Sequence, residues 1–213
     1  MDFLPDFTTL LAFAAATLLL AATPGPDMTL SISRALAQGK KAALFVVLGT
    51  SLGIVVHTML VAFGVSALIT ASPTAFLILK TGGAAYLLWL AVQAVRYGSK
   101  FSVNKVEASK GTPLANISSG FWVNLLNPKV IIFFMTFLPQ FVSAGDPAVT
   151  QKLLFLGFCF IVIGIPVNAA VVFAADGLSS WLQTNKRILR GMDFTFAGVF
   201  SVFAAKILLT QAR

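Results

Sequence analysis

The stretch AATPGPDMTLS, Ala21 to Ser31, decides how the rest of the chain is read. It lies inside an apolar run long enough to cross a bilayer, which takes roughly 20 residues of helix. Pro24, Gly25 and Pro26 interrupt that run, and Asp27 follows directly. Proline removes a backbone donor and clashes with the preceding turn, yet it suits the first position of a new helix. The stretch therefore reads as two half-helices, the second beginning at Pro26 with Gly25 as its cap. The start of that second half exposes backbone N–H groups and the positive end of a helix dipole, an arrangement suited to an anion. Such backbone is tolerated at membrane depth where it is buried in protein or lines a wet cavity.

Composition sets the membrane context. Of 213 residues, 58% are hydrophobic and only 10% charged, against about 25% charged in soluble domains. There are too few polar residues to cover a soluble surface, so the chain reads as an all-α integral membrane protein in the lipid bilayer. Alternating ten-residue segments are absent, which excludes an outer-membrane barrel. The net charge of +8 does not indicate nucleic acid, because the basic residues sit mostly in short gaps between apolar runs. Cys159 is the single cysteine, so there is no intramolecular disulfide, dithiol relay or cysteine metal site. No cofactor and no metal site is expected.

Six spans can be traced: about Phe7 to Ile32, Ala42 to Ile69, Pro73 to Val95, Gly120 to Val142, Lys152 to Ala175 and Met192 to Leu209. The N-terminus carries Asp2 and Asp6 rather than a basic stretch, so the first run is kept as a span and not a cleaved signal. The loops after spans one, three and five hold Arg34, Lys40, Lys41, Arg96, Lys100, Lys105, Lys110, Lys186, Arg187 and Arg190. Positive loops stay inside, which places both termini on the outer face. Trp122 and Trp181 fall near cytoplasmic span ends and read as headgroup anchors. The expected organisation is one transmembrane domain, 1–213, made of a first three-helix half (1–97), a cytoplasmic loop (98–118) and a second half (119–213).

A second interruption matches the first. NLLNPKVII, Asn124 to Ile132, placed beneath ATPGPDMTL, Ala22 to Leu30, sets Pro128 under Pro26, Lys129 under Asp27 and Asn127 under Gly25. Asn127 is a good cap for a half-helix beginning at Pro128. Three spans per half make the second half enter the membrane from the opposite side, so the reading is two inverted three-helix repeats. Helices 1 and 4 are then the broken ones. Paired interruptions of this kind point to a transporter's site. One detail resists: Pro26 comes late in its span and Pro128 early, so strict symmetry needs different span boundaries.

An Asp or a Lys at the centre of a membrane helix costs roughly 2.5–3.5 kcal/mol. Asp27 and Lys129 carry opposite signs and come together near the midplane if the inverted symmetry holds. Two readings stay open: a structural ion pair joining the halves, or a shared cavity holding the two ends of a zwitterion. In the second, Lys129 and the half-helix N-termini take a carboxylate, Asp27 takes an ammonium, and Asn124 and Asn127 complete the lining. Asn168, after Pro166 in span five, either satisfies carbonyls freed by that kink or lines the site. His57 in span two and Asp27 are the candidates for proton coupling. Gly49 and Gly53 form a small face for close helix packing. Asp176 and Asp193 read as interfacial charges beside Arg187 and Arg190.

At these residues the chain resembles the LysE/RhtB family of bacterial amino-acid exporters. The resemblance rests on TPGPDM (23–28), LAQGKKAALFVVLGTSLGIVVH (36–57), LKTGGAAYLLWLAVQAVR (79–96) and GFWVNLLNPKVIIFFMTFLPQFV (120–142). It implies a six-span inner-membrane protein that exports amino acids or close derivatives, energised by the membrane gradient through proton antiport. The family's motif residues carry over to Pro24, Gly25, Pro26 and Asp27, and to Asn124, Asn127, Pro128 and Lys129. The partners implied are an amino-acid substrate and protons, with a homo-oligomer left open. Two rivals belong to other classes. A passive channel or accessory subunit would show no exchange, and an intramembrane enzyme using His57 and Asp27 lacks a nucleophile–base pair or a metal-ligand spacing.

Overall fold

Asp6 starts the first helix. Its carboxylate accepts hydrogen bonds from the backbone N–H and the hydroxyl of Thr9, at 2.9 and 2.7 Å, which satisfies one donor that a helix start leaves open. In the computed structural model this helix, α1, runs Phe7–Ala22. Thr23 and Pro24 are extended or irregular, and α2, Pro26–Gln38, leaves at an angle of 51°. Gly39, at φ 87°, turns the chain into α3, Lys40–Ala71. That backbone angle is one L side chains avoid, so glycine is required there. Then come α4, Pro73–Tyr97, and α5, Pro113–Leu125. The structure describes residues 4–97, 111–143 and 145–211. Lys100, Lys105 and Lys110 of the expected charge pattern lie outside them.

The second break follows α5. Pro128 begins α6, Pro128–Ile132, which loosens into a π-turn at Phe133–Phe137 and tightens into a 3-10 turn at Leu138–Phe141. The bend between α5 and the segment Pro128–Phe141 is 52°. Beyond it lie α7, Val149–Phe173, α8, Ala175–Thr184, and α9, Lys186–Gln211. All described elements are helical. Four helices are long and apolar enough to span a membrane: α3, α4, α7 and Lys186–Ala205 of α9. The total is six if each bent pair is one span.

Several boundaries differ from the sequence reading. The fourth span begins at Pro113, inside the stretch 98–118 read as loop, because Thr112 caps it through the Ala115 N–H. This removes the asymmetry noted above. Pro26 now follows a helix of 16 residues and Pro128 one of 13, so both lie within their spans. The stretch after the fifth span is helical as α8, and α9 starts at Lys186 rather than near Met192.

The interior is aromatic. Phe133, Phe134 and Phe137 are all within 2% of full burial and pack with Phe13, Phe160 and Phe200. At i, i+1 and i+4 of the π-turn the three rings share its inner side. Large apolar side chains such as Phe7, Leu60, Ile78 and Val202 are exposed, as a lipid-facing surface allows. The α3–α5 crossing is a backbone-to-backbone approach. A Cβ on Gly49 would collide with the Ile117 carbonyl, and one on Gly120 with the Val46 carbonyl. The packing reading of the glycine face is therefore the one observed. Cys159 is partly buried in α7.

Candidate functional site

Pro24 has no N–H, so the Leu20 carbonyl at the end of α1 lacks its helical donor. Thr23, with its extended backbone, turns its own carbonyl out of the helix. The Lys129 Nζ fills both vacancies, donating to Leu20 O at 2.9 Å and Thr23 O at 2.7 Å. The carbonyl end of a helix carries partial negative charge, which gives the ammonium a favourable place inside the protein. On its way there the Lys129 stem lies against Gly25. A Cβ at Gly25 would sit 3.6 Å from Lys129 Cδ and 3.7 Å from Nζ.

Asp27 is held from the other break. Its carboxylate accepts from Asn124 Nδ2 at 2.7 Å and from Asn127 Nδ2 at 3.1 Å. Asn127 also caps α6, its Oδ1 accepting the Lys129 backbone N–H at 3.0 Å. So the start of α6 is already satisfied by its own cap, whereas α2 begins at Pro26 behind Gly25, which offers no side-chain cap. Asp27 and Lys129 do not bond each other. Each is held by neutral groups of the opposite break, which crosses the two interruptions over one another.

Gly25, Asp27, Asn124, Asn127, Lys129 and Asn168 line one cavity of about 60 Å³. A water occupies roughly 10–15 Å³ on this measure, so the space admits a few waters. Pro24 and Pro128 lie instead on the wall of a neighbouring, larger cavity, and Pro26 serves as the first residue of α2. Asn168 donates to Gly164 O at 2.9 Å. That is not the Val162 carbonyl that Pro166 deprives of its partner, so its bond does not repair the proline kink. His57 is buried behind Asn124, with Nε2 3.4 Å from the Asn124 carbonyl. It contacts the site through that residue. Asn124 is fixed on its other side by Gly53, where a Cβ would come 2.5 Å from its Oδ1.

Residues 18–211 match the family profile described as LysE type translocator. The chain belongs to that family. A translocator and not an enzyme, it is a multi-pass membrane protein. This LysE type translocator is similar to the homoserine/homoserine lactone efflux protein of Salmonella typhimurium, with 29% identity over 202 residues covering 95% of the chain and 96% of the relative. It is also similar to the leucine efflux protein of Klebsiella pneumoniae, with 23% identity over 202 residues covering 95% of each. No solved structure matches it.

The sequence missed two parts of the translocator's interior. Asp193, expected at the interface, is only 3% exposed. Arg190 donates to the carbonyls of Ala94 and Val95 at the end of α4. Asp193 lines the larger cavity, of about 440 Å³, between α4, α9 and the two breaks. A signal was present in the sequence: Asp193, Phe196 and Phe200 fall at i, i+3 and i+7, one face of a helix.

Proposed function

We propose that this protein exports amino acids or close derivatives across the bacterial inner membrane by alternating access, in exchange for protons. It is built as two inverted three-helix halves, 1–97 and 119–213, with both termini periplasmic. The observation that carries the reading is the sharing of one cavity by Asp27 and Lys129, each at a matched break. The names of the relatives, one for homoserine and its lactone and one for leucine, support an amino-acid cargo.

In this reading a substrate carboxylate approaches Lys129. The ammonium has three donors, and the two carbonyl bonds leave one of them for a ligand. The uncapped start of α2 adds partial positive charge. The substrate ammonium takes Asp27, with Asn124 and Asn127 turning to the ligand. A proton on Asp27 would compete with that ammonium, which couples the two movements, and His57, beside the Asn124 carbonyl, is the second titratable group close to the site. Closing the larger cavity and opening the opposite face would complete the cycle.

Counterflow in proteoliposomes tests this. Vesicles loaded with unlabelled amino acid should accumulate labelled amino acid transiently above equilibrium. A passive channel would only equilibrate the label, and that outcome would end the reading.

A further inference from the structure

We propose that the 440 Å³ cavity is a loading chamber for zwitterionic amino acids with bulky apolar side chains. Asp193 takes the ammonium there, Lys129 the carboxylate, and the aromatic walls the side chain. The inference deepens the export reading and rests on it.

Size argues first. The cavity at Asp27 holds a few waters, whereas the one across Lys129 is about 440 Å³ against about 60 Å³. Only the larger can admit an amino acid in this conformation. Charge argues second. Asp193 is a buried acid on its wall, and Lys129 belongs to the walls of both cavities. A pair of opposite charges on one wall offers a zwitterion both of its contacts, whereas a lipid tail would use neither.

The walls argue third. Tyr86 and Trp89 of α4 and Phe196 and Phe200 of α9 all belong to its wall. Each further methylene buried there strengthens binding by about fourfold. Leucine has three more carbons than alanine, so selectivity between them reaches about sixtyfold at most. The chamber's wall includes Tyr97, at the close of α4, as well as Pro24 and Pro128 at the breaks. With a substrate's carboxylate on Lys129, its ammonium can pass from Asp193 to Asp27.

The test uses the full-length protein in proteoliposomes, with labelled leucine and alanine in counterflow. The parent should prefer leucine by at least about tenfold in kcat/KM. Asp193→Asn should raise KM for both substrates by about tenfold or more. Ala94→Trp, which fills the chamber from α4, should cut the leucine-to-alanine ratio by at least about fivefold. If the parent exchanges amino acids while both variants keep its KM and its ratio, the chamber assignment falls and the export reading stands. If Ala94→Trp releases a bound phospholipid and leaves selectivity unchanged, the cavity is a lipid site and the assignment falls as well. If the parent exchanges no amino acid, both readings fall. The two variants lie on different helices, so misfolding of one leaves the other to decide.

Discussion

The Lys129 ammonium sits 2.9 Å from the Leu20 carbonyl, the acceptor that Pro24 leaves without a backbone donor. A proline in one half of the chain thus creates the place where a lysine of the other half is stable. The opposite exchange runs through Asp27, which is held by Asn124 and Asn127. The breaks are made for each other.

Lys129→Ala leaves two carbonyls at the end of α1 without a donor and removes the proposed carboxylate contact. Charge-assisted hydrogen bonds are worth about 1.5–3 kcal/mol each, so counterflow should fall by at least about tenfold, with protein still present in the membrane fraction. Parental exchange in this variant would refute the proposed grip. Lys129→Arg should also fail, because a planar fork does not replace a point charge between two carbonyls.

Pro24→Ala restores an N–H within reach of the Leu20 carbonyl, where it competes with Lys129. The expected results are a smaller bend between α1 and α2 and weaker exchange. Distances between spin labels placed on α1 and α2, measured with and without the substitution, check the first. Counterflow checks the second.

Asp27→Asn keeps one carbonyl acceptor for Asn124 or Asn127 but cannot carry a negative charge. Proton coupling at this residue requires that the variant's exchange lose its dependence on external pH and on an imposed pH gradient. Retention of the parental pH profile would move the coupling elsewhere.

Gly120→Ala drives a methyl into the Val46 carbonyl, a backbone atom that cannot rotate away. Overpacking of a tight contact costs about 1–3 kcal/mol, so the detergent-solubilised protein should melt at a lower temperature. Gly53→Ala instead presses on the Asn124 side chain. It should lose exchange out of proportion to its loss of thermal stability.

What could be read from the sequence was what local chemistry dictates. Proline forbids a backbone bond wherever it sits, so the breaks at Pro24 to Asp27 and at Asn127–Pro128 were legible, as was Asn127 as a cap. Gly49 and Gly53 were legible as a packing face. Depth and pairing were not. The basic cluster Lys186, Arg187 and Arg190 suggested a loop, but α9 already runs through it, which carries Asp193 inward. The larger cavity lies where α4 and α9 run side by side, with Tyr86, Trp89, Phe196 and Phe200 on its wall. No local pattern states that two helices a hundred residues apart are neighbours. The π-turn at Phe133–Phe137 was equally silent, since an aromatic run fits an α-helix as readily.

The α3–α5 seam has a mechanical meaning. Gly49 takes the Ile117 carbonyl and Gly120 takes the Val46 carbonyl, so each helix seats its glycine under the main chain of the other. Sliding either helix along its axis would drive a bulkier residue into a carbonyl on both sides at once. The pair is therefore keyed like a tongue in its slot, and it gives any rocking of the surrounding helices a fixed axle to turn on.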